Sequence, residues 1–359
     1  MEVHPEQFLT RPGGVKVCYQ TFGRSGATPL LLLSGGAQSM LCWHEDFISM
    51  VDEQLGGSFI IRFDYRDTGR STNFPLGEAA HYSINDFCDD AIAILDELRI
   101  ESANLVGFSL GGAIAWMIAA EHPQRVKSLS LFSSSPVGPS PSTQDALPQL
   151  NPELGAQLAK APIPSDWQNQ EMVLDFLMFC VDCTSFRKYE GREREDMYQR
   201  QAAEFARISG QGNSVQSIFN QSAAVSGRWP RELLCNVKCP TTIVHGREDR
   251  NIPLVHADVL KEEIKGSKLV VVEGMAHEMP KREWSRFLDY SRLNSTFDVL
   301  RPVTLASSRY LDLIRYPLCS ISGSSNSLTT ENDLMAGSAE ESYHNCAQDT
   351  GSFSQGLSD

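Results

Sequence analysis

Short runs of apolar residues alternate along the chain with longer segments whose apolar residues recur at helical spacing. Residues 30–33, 58–63, 103–106, 126–132, 241–244 and 268–272 have strand length, and all but 126–132 carry apolar residues at successive rather than alternate positions. Such runs suit strands buried on both faces, as in a parallel sheet covered by helices. Residues 15–21 alternate apolar and polar instead, which predicts an early antiparallel strand. Between the runs, Trp43 and Phe47 open an amphipathic helix through Val51. A second helix, entered by the capping signal Ser83-Ile84-Asn85-Asp86, presents Phe87, Ala91, Ile94, Leu95 and Leu98 on one face. Residues 112–120 are apolar all round, as in a buried helix, and residues 255–264 are helical.

The rhythm breaks at Ser133. Residues 133–148 are rich in Ser and Pro and read as a linker. From Pro152 to about Gly227 the patterns are helical (172–181, 193–207, 214–225), with no strand between them. That stretch is too long for an ordinary crossover and is expected to be a helical cap inserted into the sheet domain. A last helix is expected from Arg282 to about Leu293. The expected organisation is therefore α/β: a core in two parts (1–135 and 232–297), a cap (136–231) and a tail (298–359). Beyond Ser320 the tail is Ser/Gly/Asn-rich, which predicts disorder.

Composition narrows the partners. The net charge of −14 argues against nucleic acid and against an anionic membrane surface. Part of it is local: Glu331, Asp333, Glu340, Glu341, Asp349 and Asp359 fall in 319–359, which has no Lys or Arg. The opening residues lack the positive and apolar regions of a secretory leader, and no apolar run approaches the ~18 residues of a membrane span. Nine scattered cysteines form no framework. Cys180 and Cys183 stand in an apolar helical stretch without a second ligand pair and are expected to be buried free thiols, with no metal site. A cytoplasmic protein acting on a small molecule is the expectation.

The candidate chemistry centres on Gly107-Phe108-Ser109-Leu110-Gly111, between an apolar strand and an apolar helix. A serine flanked in this way at a strand-to-helix turn is the nucleophile-elbow pattern: the turn strains the serine backbone, and its hydroxyl stands at the helix N-terminus. A serine nucleophile needs a base and a carboxylate to orient it. Of the eight histidines, His277 follows the last strand in a Gly-flanked loop at the elbow's edge of the sheet, and it is the expected base. The acid must come from a loop at the same edge. Residues 133–135 offer none, whereas the loop after residue 244 offers Glu248 and Asp249. Asp249 is preferred because the turn ending at Pro253 fixes its geometry; Glu248 stays as the alternative. An oxyanion needs two backbone donors. Leu110 supplies one, and the Gly loop after Leu33 the other, with Gly36 first and Ala37 next. Trp43, Phe108, Leu110 and the cap residues Phe176, Met178 and Phe179 are candidates to line an apolar pocket, although such residues are more often plain core.

Together these residues resemble the α/β-hydrolase superfamily over about residues 8–297. Within it they are similar to the aclacinomycin methylesterase type of polyketide-tailoring hydrolase. The resemblance is carried by Leu32-Leu33-Ser34-Gly35-Gly36 with Trp43, by Asp64-Tyr65-Arg66-Asp67-Thr68-Gly69-Arg70-Ser71, and by Gly274-Met275-Ala276-His277-Glu278-Met279-Pro280. It implies an α/β-hydrolase fold with a helical cap, an oxyanion hole at Gly36 and Leu110, and no cofactor. Asp67, where much of the superfamily has Gly, is part of that likeness; the departures are Ser34, where the superfamily often has His, and the tail after residue 298, which has no counterpart in the family pattern. The function expected is hydrolysis of a carboxylic ester or thioester of a mid-sized apolar compound, in polyketide tailoring by family likeness alone. A cofactor-free perhydrolase or lyase with the same triad, and a non-catalytic binding protein, are the alternatives.

Overall fold

The apolar runs become strands because both of their sides are covered. The computed structural model describes residues 1–75, 82–139, 147–148, 150–210, 212, 214–285 and 287, all within the unit Met1–Arg301. The strands are β1 (Gln7–Thr10), β2 (Lys16–Gly23), β3 (Thr28–Leu33), β4 (Ser58–Phe63), β5 (Ala103–Phe108), β6 (Val126–Phe132), β7 (Thr241–Gly246) and β8 (Lys268–Val272). The helices are α1 (Glu45–Leu55), α2 (Ile84–Glu97), α3 (Leu110–Glu121), α4 (Pro152–Leu158), α5 (Gln170–Thr184), α6 (Gly191–Ser209), α7 (Ile218–Val225) and α8 (Val255–Glu263).

One sheet of order β1-β2-β4-β3-β5-β6-β7-β8 carries the fold. β2 is antiparallel to β1 and β4, and every other neighbouring pair is parallel. Each central run feeds two cores at once. Leu31 and Leu33 pack with Leu105, Leu131 and residues of α2, α3 and α8 on one face. Leu30 and Leu32 pack with Val106, Phe132, Val244 and α1 on the other. Successive apolar residues are what such two-sided burial requires. Helix α3 is buried along almost its whole length, from Leu110 to Ala120, which accounts for its lack of a polar face.

Expected and observed elements agree in the core, with ends shifted by a few residues. β1 was not expected: it is four residues long and mostly exposed, so burial leaves little pattern in it. Residues 215–217 form a 3-10 turn, and α7 starts only at Ile218. Of the expected helix 282–293, only 282–285 and Phe287 are described; the rest, the tail and part of the linker 133–148 lie outside the described residues.

Helices α4 to α7 lie between β6 and β7. They have a small core of their own, built on Val173, Leu174, Phe205 and Ile208. Polar stitches join them to the sheet's edge. Gln221 donates to Arg66 O (2.8 Å) and accepts from Ala37 N–H (2.7 Å). Ser217 donates to Asp67 O, and Arg207 pairs with Asp64.

The segment 64–71 is structural, as expected of its Arg–Asp content. Arg66 bonds Asp90 and Asp86, each at 2.8 Å. Asp67 is in the left-handed region (φ 65°), which explains why glycine suits this position elsewhere. Its carboxylate compensates, accepting from Phe74 N–H (2.7 Å) and from the Tyr82 hydroxyl (2.6 Å).

Candidate active site

Ser109 sits between β5 and α3 with φ 54° and ψ −118°, a strained conformation for a residue with a Cβ. The surrounding backbone holds it there. Its N–H donates to Phe132 O (2.8 Å), and its carbonyl accepts from Gly112 N–H (3.0 Å) and from the Ser134 hydroxyl (2.9 Å). The two glycines have a steric cause. A Cβ at 107 would run into the Gly111 carbonyl, and one at 111 into the Leu33 carbonyl.

Strand β7 ends beside this elbow and delivers Asp249, whose carboxylate is wholly buried. One oxygen accepts from the N–H groups of Asn251 (2.9 Å) and Ile252 (2.8 Å). The other accepts from His277 Nδ1 at 2.8 Å. A carboxylate can only accept, so Nδ1 carries the proton and Nε2 presents its lone pair. That lone pair faces Ser109 Oγ at 3.0 Å. Burial alone would push the Asp249 carboxyl up. The His277 imidazole and its hydrogen bond, His245 and the Ile252 N–H together pull it below its ordinary value. His245 lies behind, with Nε2 2.8 Å from Ile252 O and 3.6 Å from Asp249 Oδ2, and burial pushes its pKa down.

Glu248 turns elsewhere. Its carboxylate accepts from the N–H groups of Gly274 (3.0 Å) and Met275 (3.2 Å), bracing the loop that carries His277. The His277 N–H in turn donates to Thr184 O at the end of α5 (3.1 Å).

Leu110 opens α3, where its N–H has no carbonyl within the helix to bond. Gly36 adjoins it: a Cβ there would stand 3.5 Å from Leu110 Cδ2. Ala37, the alternative loop donor, has its N–H taken by Gln221. Ser34 contributes no side-chain hydrogen bond among the described residues; its carbonyl accepts from the Tyr65 hydroxyl at 3.1 Å.

Two adjoining cavities meet here. One, of about 530 Å³, opens onto Ser109, Gly36 and Leu110 and continues past Val137, Trp229 and Ile252. The other, of about 570 Å³, runs under α6. Phe108 and His277 line both, their ring centroids 5.1 Å apart.

The other pocket candidates are corrected. Trp43 is 1% exposed and packs on Phe47 (ring centroids 5.3 Å apart), lining neither cavity. Phe176 packs on Trp167 and Phe219, and Met178 is buried. The face of α5 that reaches the cleft carries Leu177, Val181 and Thr184, with Phe179 off it. Cys180 and Cys183 are half-buried free thiols, both raised by burial, Cys180 to about 11. Among the described residues no cluster of His, Cys, Asp or Glu side chains is arranged to hold a metal ion, and no helix is long and apolar enough to cross a membrane. Sequence reasoning missed Arg200 and Glu204 on α6, which line the larger cavity; their four-residue spacing is the one signal, and it reads equally as a solvated face.

Comparison with known proteins shows what the chain is similar to. Rhodomycin D methylesterase DauP of Streptomyces sp. (strain C5) is 25% identical over 299 residues, covering 77% of this chain and 93% of that protein. The methylesterase DnrP of Streptomyces peucetius is 25% identical over 279 residues, 72% and 87% of the two chains. Among solved structures, an esterase from Exiguobacterium antarcticum superposes with a TM-score of 0.61 at 23% identity, covering 79% of this chain and 96% of its own. The sequence model for the alpha/beta hydrolase fold matches residues 28–281, and the chain belongs to that family.

Proposed function

We propose that the protein is a serine esterase in which Ser109, His277 and Asp249 act as a catalytic triad. Family membership with methylesterase relatives along most of the chain makes it a hydrolase of esterase type. The observation that carries the triad is the hydrogen-bonded chain from Ser109 Oγ through His277 to Asp249, at 3.0 and 2.8 Å. Ser109 Oγ attacks the ester carbonyl and its proton passes to His277 Nε2, while Asp249 steadies the imidazolium. The N–H groups of Leu110 and Gly36 receive the oxyanion; Gln221, by occupying Ala37, leaves Gly36 as the loop donor. His277 then returns the proton to the leaving alcohol, and water activated by the same imidazole releases the acid and restores Ser109. The helices of 136–231 act as a cap over the cleft. The apolar lobe around Val137, Trp229 and Ile252 suits a mid-sized apolar portion of the substrate. The methylesterase relatives support a methyl ester in the tailoring of a polyketide or similar secondary metabolite.

A fluorophosphonate probe tests the assignment. Wild type should be labelled at Ser109, and Ser109→Ala should not. A folded wild type that resists the probe would remove the triad reading.

A further inference from the structure

The larger cavity holds chemistry that cleavage of a simple apolar ester does not use. Helix α6 turns Arg200 and Glu204, one turn apart, toward Gln38, Cys42 and His44. Arg200 is half-buried, and its guanidinium lies over the Trp284 ring, 5.3 Å from the centroid. Among the described residues it forms no ion pair and no hydrogen bond. Of the other cations nearby, Arg62, Arg207 and Lys281 are engaged. Arg62 bonds Gln20, Trp43 O and Glu45. Arg207 bonds Asp64 and Glu6, and Lys281 at the rim pairs with Asp46.

His44 registers the positive field. Burial first, and Arg200 next, hold the His44 imidazole below its ordinary value, so it adds no second charge at neutral pH. Glu204 does not neutralise Arg200 either. Its carboxyl turns to the hydroxyl and N–H of Ser39, and burial raises it to about 7. Arg192 and Asp196 also reach this cavity, but from its exposed rim. A guanidinium placed over an indole and without an ion pair keeps N–H donors available, and their planar fork matches a carboxylate.

We propose that this lobe is a subsite for a carboxylate of the substrate, held by Arg200, so that the enzyme acts on esters that are also acids. The proposal rests on the esterase reading for its site and adds a charge requirement to it. His277 and Phe108 line both lobes, so a substrate can place its ester at Ser109 and its carboxylate under α6.

The test compares monomethyl suberate with dimethyl suberate. For wild type, kcat/KM should favour the half-ester by about 10- to 100-fold, chiefly through KM, as expected for one charge-assisted contact. Arg200→Gln should lower kcat/KM for the half-ester far more than for the diester and so abolish that preference, and Arg200→Lys should restore part of it. Equal rates on the two esters, or a variant that slows both alike, would overturn the subsite. Calorimetry on Ser109→Ala gives an independent reading. It should bind the half-ester, and Arg200→Gln on that background should weaken binding by the same factor. Binding without turnover by wild type would keep the subsite and overturn the esterase reading; turnover without charge preference would do the reverse. Absence of half-ester binding to Ser109→Ala would overturn the subsite outright.

Discussion

Two buried aspartates stand just past the ends of sheet strands and do opposite work. Asp64, after β4, accepts from the N–H groups of Met40 and Arg70 (each 2.8 Å) and from the Arg207 guanidinium (2.7 Å). Asp249, after β7, accepts from two backbone N–H groups and from His277 (2.8 Å). Both are buried, at 0% and 4% exposure, and both have two backbone donors and one side-chain cation or near-cation. The partner separates them. Guanidinium keeps its proton at any working pH, so the Asp64 pair is a fixed joint between the α6 segment and the sheet. Imidazole exchanges its proton near neutrality, so the same geometry around Asp249 suits proton transfer.

The comparison breaks most sharply in turnover. Asp249→Asn keeps the shape but lets the His277 ring adopt the wrong tautomer, and kcat should fall by about 10,000-fold; steady-state kinetics on a methyl ester would measure this. The same variant should lose an acid limb of stability. The folded Asp249 pKa is depressed, so its contribution is present above the unfolded value of about 4 and is lost as pH falls through the folded one. Asp64→Ala should do the reverse: turnover per folded molecule survives, and stability drops by about 3 kcal/mol because Arg207 is left buried with Glu6 alone. Chemical denaturation would show it. The double variant Asp64→Asn with Arg207→Met should lose less than Asp64→Ala, since no charge is stranded; a cycle with the single variants measures the coupling.

The smallest effect sharpens the contrast by sign. Burial lifts Glu204 to about 7, against an unfolded value of about 4.3, despite the opposing Ser39 and Arg207 and with Asp64 adding to the rise. Its neutral form contributes stability that is full below pH 4 and lost as pH rises toward 7. Glu204→Gln should therefore gain on wild type between pH 5 and pH 8, by about 2–4 °C in Tm. Scanning calorimetry at the two pH values would show it.

The sheet and the hydrogen-bonded chain of Ser109, His277 and Asp249 were legible because their causes are local. Runs such as 126–132 and 268–272 are strands with the expected ends. Gly107 and Gly111 mark a backbone crossing that admits no side chain, and Asp249 and His277 follow strands whose order puts them beside it. Trp43 misled because an aromatic residue after a Gly loop looks the same whether it faces a cleft or, as here, Phe47. Phe176 and Met178 misled for a similar reason: the rotation of α5 is set by its packing on α6, and composition does not record it. The Arg207–Asp64 pair spans 143 positions, and nothing local marks either partner for the other. Charged Arg200 and Glu204 read as solvent-facing until the fold places Trp284 and Ser39 against them.

The inserted helices are sewn to the chemistry at the level of single atoms. The Thr184 carbonyl holds the backbone of His277, the Gln221 amide occupies Ala37 beside Gly35 and Gly36, and Arg207 bonds Asp64. Exchange of this insertion between relatives is thus not a modular swap of specificity. A chimaera that imports another protein's helices inherits their pocket walls, but it keeps a working site only if it also brings a carbonyl, an amide and a guanidinium to those three addresses.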